Sequence, residues 1–107
     1  IIRAKQKVYS EEYLCDTVDE CCFGMTREIF DQLCFNESVC DEWHLYAVEM
    51  CLRAKELTKF VGVCNPGIRH FSGENFDLNC MKKFKQLLIM YKHQGYICTT
   101  CKKCRAI

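Results

Sequence analysis

Two stretches of this chain hold residue types that could do chemistry at a workable spacing. The first is Asp41-Glu42-Trp43-His44-Leu45-Tyr46-Ala47-Val48-Glu49. With a helix starting at about Val39, Asp41 and Glu42 stand at its N-terminus, and polar ring atoms follow one turn later. A carboxylate in that place could activate a hydroxyl as a nucleophile, provided that it reaches the proton and has a suitable pKa. The helix dipole works against a strong base, because it stabilises the ionised form. A plainer reading has Asp41 and Glu42 capping the helix while Trp43 fills the core. The second stretch is Cys98-Thr99-Thr100-Cys101-Lys102-Lys103-Cys104. Its two overlapping C-x-x-C steps could chelate Zn²⁺ through thiolates, or give three ligands to an iron–sulfur cluster. A closed zinc site needs a fourth ligand, and His93 is the nearest candidate in sequence. In a chain so rich in cysteine, such spacings also arise by coincidence.

Hydrophobic periodicity says which elements must position these groups. The segment up to about Glu12 is polar and irregular and reads as an exposed connector. Residues Asp19 to Met25 read as a short strand entered from an acidic turn. Thr26 is a good N-cap, and Ile29, Phe30 and Leu33 give one face of a short helix. Ser38 and Asp41 resemble a capping box ahead of a helix from about Val39 to Leu57. Trp43, Tyr46, Ala47, Met50, Ala54 and Leu57 form one apolar stripe on it, and Leu45, Val48 and Leu52 a second. Apolar on two sides, this helix should be central. Phe60 to Cys64 is a strand candidate, ended by the turn Asn65-Pro66-Gly67. A short extended piece covers Ile68 to Ser72. The last helix spans about Phe76 to His93, with Phe76, Cys80, Phe84, Leu87, Leu88 and Tyr91 inward and the lysines in water. Gly95 stops it, and Tyr96 to Thr100 is strand-like. The order of strand, helix, helix, strand, helix, strand predicts an α/β layered domain.

Composition bounds what such a domain can be. The 107 residues suffice for one compact domain, 50% are hydrophobic and 27% charged, and the net charge is +1. The basic clusters, Lys82-Lys83-Phe84-Lys85 and Lys102-Lys103, are too short to track a phosphate backbone, so nucleic acid is not an expected partner. No apolar run is long enough to span a bilayer, and no signal-peptide pattern is visible. The chain opens on Ile1 rather than Met and reads as a truncated product. Eleven cysteines exceed the roughly 8–10% that marks a short secreted disulfide scaffold. Their odd number, the missing signal and their places in helical stripes favour reduced, buried thiols in a cytosolic protein.

The order of several motifs is also familiar. Phe35-Asn36-Glu37, then Asp41-Glu42-Trp43-His44-Leu45-Tyr46-Ala47-Val48-Glu49, then His70-Phe71-Ser72, resembles the C-terminal half of bacterial family-2 glycosyltransferases. Members of that group often carry Phe-Asp-Glu, an acidic pair with Trp-His-Leu-Tyr-Ala-Val-Asp, and a His-x-Ser after a strand. Their tails often read Thr-Thr-Cys, as Thr99-Thr100-Cys101 does. The resemblance runs over residues 17 to 104. The Trp-His-Leu-Tyr-Ala-Val stretch is its specific part, and the flanking pieces are individually weak.

The resemblance implies a fold, a reaction and roles. The fold is α/β, a small mixed sheet with about three helices, matching the acceptor half of a GT-A domain. Residues 1–16 would be a connector from a donor-binding N-terminal half, and residues 17–107 the acceptor-side subdomain. Glu42 takes the place of the catalytic base, where family members commonly have Asp, with Asp41 as the other acid of the pair. Asp19, Glu20, Trp43, His44 and Tyr46 are acceptor-side candidates. A turn-capping role for Asp19 and Glu20 stays open, as does a core role for Trp43. His70 matches the histidine that completes divalent-metal binding, Mn²⁺ rather than Mg²⁺, beside the donor diphosphate. No Asp-x-Asp motif occurs in the sequence, so the chain alone should hold no metal and be inactive. The complete enzyme would transfer sugar from a nucleotide-sugar donor to a glycan or lipid-linked acceptor, in the cytoplasm or at the membrane surface. The alternative is a small cysteine-rich binding module, stabilised by zinc or disulfides, without catalysis.

Overall fold

A computed structural model describes residues 13–20, 22–64, 77–98 and 103–105. It is a small α/β structure built on three helices. Strand β1 (Tyr13–Cys15) is followed by α1 (Arg27–Leu33), α2 (Tyr46–Glu56) and β2 (Val61–Val63). Helix α3 (Leu78–Met90), a 3-10 turn (Lys92–Gln94), β3 (Tyr96–Cys98) and β4 (Lys103–Arg105) complete it. The expected mixed sheet is replaced, among the described residues, by two separate antiparallel pairs. β1 pairs with β2, Leu14 opposite Gly62, and β3 pairs with β4, Ile97 opposite Cys104. The first strand is thus Tyr13–Cys15, and the described residues between 19 and 25 form no strand. β2 and β3 fall within the strand candidates read at Phe60 to Cys64 and Tyr96 to Thr100, whereas the three residues of β1 offer too little alternation to read.

Each helix has a local reason to begin and end where it does. Thr26 caps α1, its hydroxyl accepting from the Ile29 amide at 3.2 Å. Asp77 does the same for α3, accepting from the Cys80 amide at 2.8 Å. Helix α2 starts at Tyr46, well after the expected Val39, so Asp41, Glu42 and Trp43 lie on a bend ahead of it. Leu45 at φ 65° makes that break. The supposed capping box does not form, since Ser38 Oγ donates instead to Asn36 Oδ1 at 2.6 Å. Helix α2 ends where the stripes predict. The amides of Thr58 and Lys59 fold back to the carbonyls of Lys55 and Ala54, with Thr58 left-handed at φ 56°, the closing geometry of a Schellman motif.

The core is a cluster of Leu52, Leu87, Leu88, Tyr91 and Ile97, with Val39, Leu45, Val48 and Phe84 packed against it. Helix α2 is central as expected, burying Ala47, Glu49, Met50, Leu52 and Ala54. The inward side of α3 is also as read, with Cys80, Leu87, Leu88 and Tyr91 buried. Two expectations fail. Trp43 leaves the core stripe because it precedes the helix, and Lys83 turns away from water toward Asp41. Helix α1 buries none of its residues. No described helix is long and apolar enough to cross a membrane.

Candidate functional site

Every site residue that the glycosyltransferase resemblance suggested, except His70, lies among the described residues, and the bend before α2 carries most of them. Asp41 is exposed and pairs with Lys83 of α3, whose ammonium also donates to the Val39 carbonyl at 3.0 Å. That pairing, through the Lys83 hydrogen bond first, holds the Asp41 carboxyl below its ordinary range and pushes Lys83 up. Glu42 next to it is exposed, and no hydrogen bond among the described residues ties it down. The two acids of the pair are therefore unlike: one anchors the bend to α3 and the other carries no hydrogen bond among the described residues. Neither sits in a helical first turn.

Trp43 is 65% exposed, the opposite of its core reading. Its ring stacks on His44 at 4.5 Å between centroids and 29° between planes. His44 is buried, and its Nε2 lies 3.6 Å from Asp77 Oδ2 at the start of α3, with no hydrogen-bond partner among the described residues. Leu45, in the left-handed region, costs about 1–2 kcal/mol for a side chain of its kind, the sort of backbone strain that gathers at functional sites.

The other candidates divide. Asp19 Oδ1 accepts from the Glu20 amide at 2.8 Å, a local turn contact. Glu20 is half-buried against the start of α2, and one carboxylate oxygen, Oε1, has no partner among the described residues. Burial raises its pKa first, with the Asp19 charge adding to it, while backbone hydrogen bonds from its own amide and Ala47 pull it down. Tyr46 is not brought to Trp43. Its ring packs against Phe35 at 5.4 Å and Phe23 at 6.1 Å, beneath the aromatic face of α1. His70 lies outside the described residues.

Sequence reading missed a buried hub. Glu49 is fully buried, and its carboxylate accepts from Tyr91 Oη at 2.8 Å, Asn36 Nδ2 at 3.3 Å and Arg53 Nε at 2.9 Å. Arg53 also donates to the carbonyls of Leu33 and Cys34 at 2.7 and 2.6 Å, which are orphan groups at the end of α1. Burial, then the bond to Glu49, pushes the Tyr91 hydroxyl far up. The i, i+4 spacing of Glu49 and Arg53 was the available signal, though it does not say that the pair is inside.

Among the described residues no group of three or more His, Cys, Asp or Glu side chains converges to hold a metal, so no chemical step is derived through one. The thiols of Cys98, Cys101 and Cys104 lie outside the described side chains. His93, the nearest fourth ligand in sequence, is engaged by Glu56. Cys22, Cys34, Cys40, Cys51, Cys64 and Cys80 are free thiols. Burial pushes those of Cys40, Cys51 and Cys80 up, which leaves them protonated and unreactive at neutral pH. Comparison of the chain with known protein families, with curated proteins and with solved structures finds no match.

Proposed function

We propose that this chain is the acceptor-side half of a GT-A type glycosyltransferase, which transfers a sugar from a nucleotide-diphosphate sugar to an acceptor hydroxyl. The observation that carries the reading is the pairing of an untethered carboxylate, Glu42, with an exposed Trp43 ring on one bend. A sugar presents C–H bonds on its faces and hydroxyls on its rim. An aromatic plate beside a carboxylate meets both, the ring by apolar contact and the acid by charge-assisted hydrogen bonds. In the complete enzyme Glu42 takes the proton of the acceptor hydroxyl as its oxygen attacks the donor's anomeric carbon. The bond from that carbon to the diphosphate breaks, the electron pair leaves with the diphosphate, and the configuration inverts. A divalent metal, Mn²⁺ or Mg²⁺, belongs to the donor side of this proposal. His70 is the one side chain of this chain that the resemblance assigns to it.

The test uses Trp43, the single tryptophan of the chain. Its fluorescence is followed while methyl glycosides of glucose, galactose, mannose and rhamnose are added in turn. At least one should bind with Kd of about 1 mM, the weak end of specific recognition, and Trp43→Phe should abolish the spectral response while NMR still detects weaker binding. Indifference to all four sugars, with loss of helical signal on adding a chelator, would replace this reading with the zinc-stabilised module.

A further inference from the structure

We infer that Asp77 and His44 form a clamp that fixes Trp43 as a one-faced platform, and that the clamp closes when a pyranose ring stacks on the open face. The inference deepens the acceptor reading and rests on it for the identity of the ligand, but the clamp can be tested without any sugar.

Three observations carry it. His44 is 9% exposed, yet its Nε2 is buried with no hydrogen-bond partner among the described residues, an unfavourable position for a polar atom. Asp77 Oδ2 stands 3.6 Å from it, too far for a hydrogen bond and close enough to form one after a small rotation of either ring or carboxylate. The Asp77 carboxylate is itself anchored, because Oδ1 accepts from the Cys80 amide as the N-cap of α3. A rigid helix start therefore holds one end of the clamp, and the stacked Trp43 ring forms the other.

The stack also limits the ligand. His44 covers one face of the indole, so its exposed area lies on the second face and the edges. One sugar ring can stack there, and none can be sandwiched. A ring on that face presses the indole onto His44, and the small rotation that follows brings Nε2 within hydrogen-bond reach of Asp77. Contacts that are long in a free site commonly tighten in the complex. Asp77 is thus a positioning residue that acts through His44 rather than on the acceptor.

The experiment is time-resolved fluorescence anisotropy of Trp43 in the full chain, for the wild type, Asp77→Asn and the double variant His44→Phe/Asp77→Asn. Asparagine is as good an N-cap as aspartate, so Asp77→Asn should keep its far-UV circular dichroism while Trp43 gains a fast local depolarisation. Phenylalanine at 44 keeps a stacked ring without needing a charged partner, and the double variant should regain the slow decay. The best-bound methyl glycoside should slow Trp43 further in the wild type, and should bind about tenfold more weakly to Asp77→Asn, the loss of one ordered contact. Identical decays in wild type and Asp77→Asn would overturn the clamp, as would a double variant as loose as the single one. If no glycoside binds the wild type, the acceptor reading fails by itself, and the anisotropy difference still decides the clamp.

Discussion

Asp41 and Glu42 are neighbours of the same charge with different fates, and the difference is set by one lysine. Lys83 reaches across from α3 to Asp41, and the hydrogen bond lowers the Asp41 pKa from its ordinary 3.8 and raises that of Lys83 from 10.5. A lowered carboxyl contributes stability that is present above 3.8 and lost as pH falls through the lower folded value. A raised ammonium contributes stability that is present below 10.5 and lost as pH rises through the higher folded value. The tether is therefore intact across the neutral range. Asp41→Asn should melt below the wild type at pH 7, and the gap should close as the pH is taken well below 3.8. A gap that persists unchanged into strong acid would show that the ion pair is not its origin. Sequence reading marked both acids but could not separate them, because the deciding partner stands 42 residues away.

At the scale of elements, caps were legible and starts without caps were not. Thr26 announces α1 because a hydroxyl before an apolar face has one good use. Helix α2 has no side-chain cap at all, so the Ser38–Asp41 pattern drew its start several residues too early and placed Trp43 on a core stripe. The end of α2 was readable from the last stripe residues, although its closing residue is a poor choice for its conformation. Thr58 is exposed, β-branched and left-handed at φ 56°, where glycine is the usual residue. Thr58→Gly should stabilise the chain by about 1 kcal/mol, since removing the Cβ clash outweighs the added freedom of the unfolded chain. Urea denaturation would measure it as a higher midpoint with an unchanged slope. A lower midpoint would mean that the Thr58 hydroxyl bond to the Leu57 carbonyl matters more than the backbone strain.

The molecule as a whole depends on a charge placed inside a small core. Domains of this size bury a modest share of their surface, and their stability is about 0.05–0.15 kcal/mol per residue. Glu49 joins three parts of the structure: Arg53 and through it the end of α1, Asn36 in the connector, and Tyr91 after α3. The α/β class and the inward faces of α2 and α3 followed from periodicity, because apolar residues are one-dimensional signals. The hub did not, because it is made by groups whose ordinary place is in water and whose partners are set by the fold. Breaking a buried ion pair by removing one partner costs about 3–5 kcal/mol, since the other charge is left uncompensated. Glu49→Gln leaves the Arg53 guanidinium in that position, so the variant should lose about 3 kcal/mol in urea denaturation. The same substitution should release Tyr91. In the wild type its hydroxyl stays protonated into alkali, because burial and the bond to Glu49 oppose its anion. Spectrophotometric titration should find Tyr91 silent in the folded wild type and ionising at lower pH in Glu49→Gln, still above the ordinary range because burial is its first cause. A silent tyrosine in both proteins would assign the effect to burial alone, and a small loss of stability would place the hub's value in the backbone carbonyls that Arg53 holds.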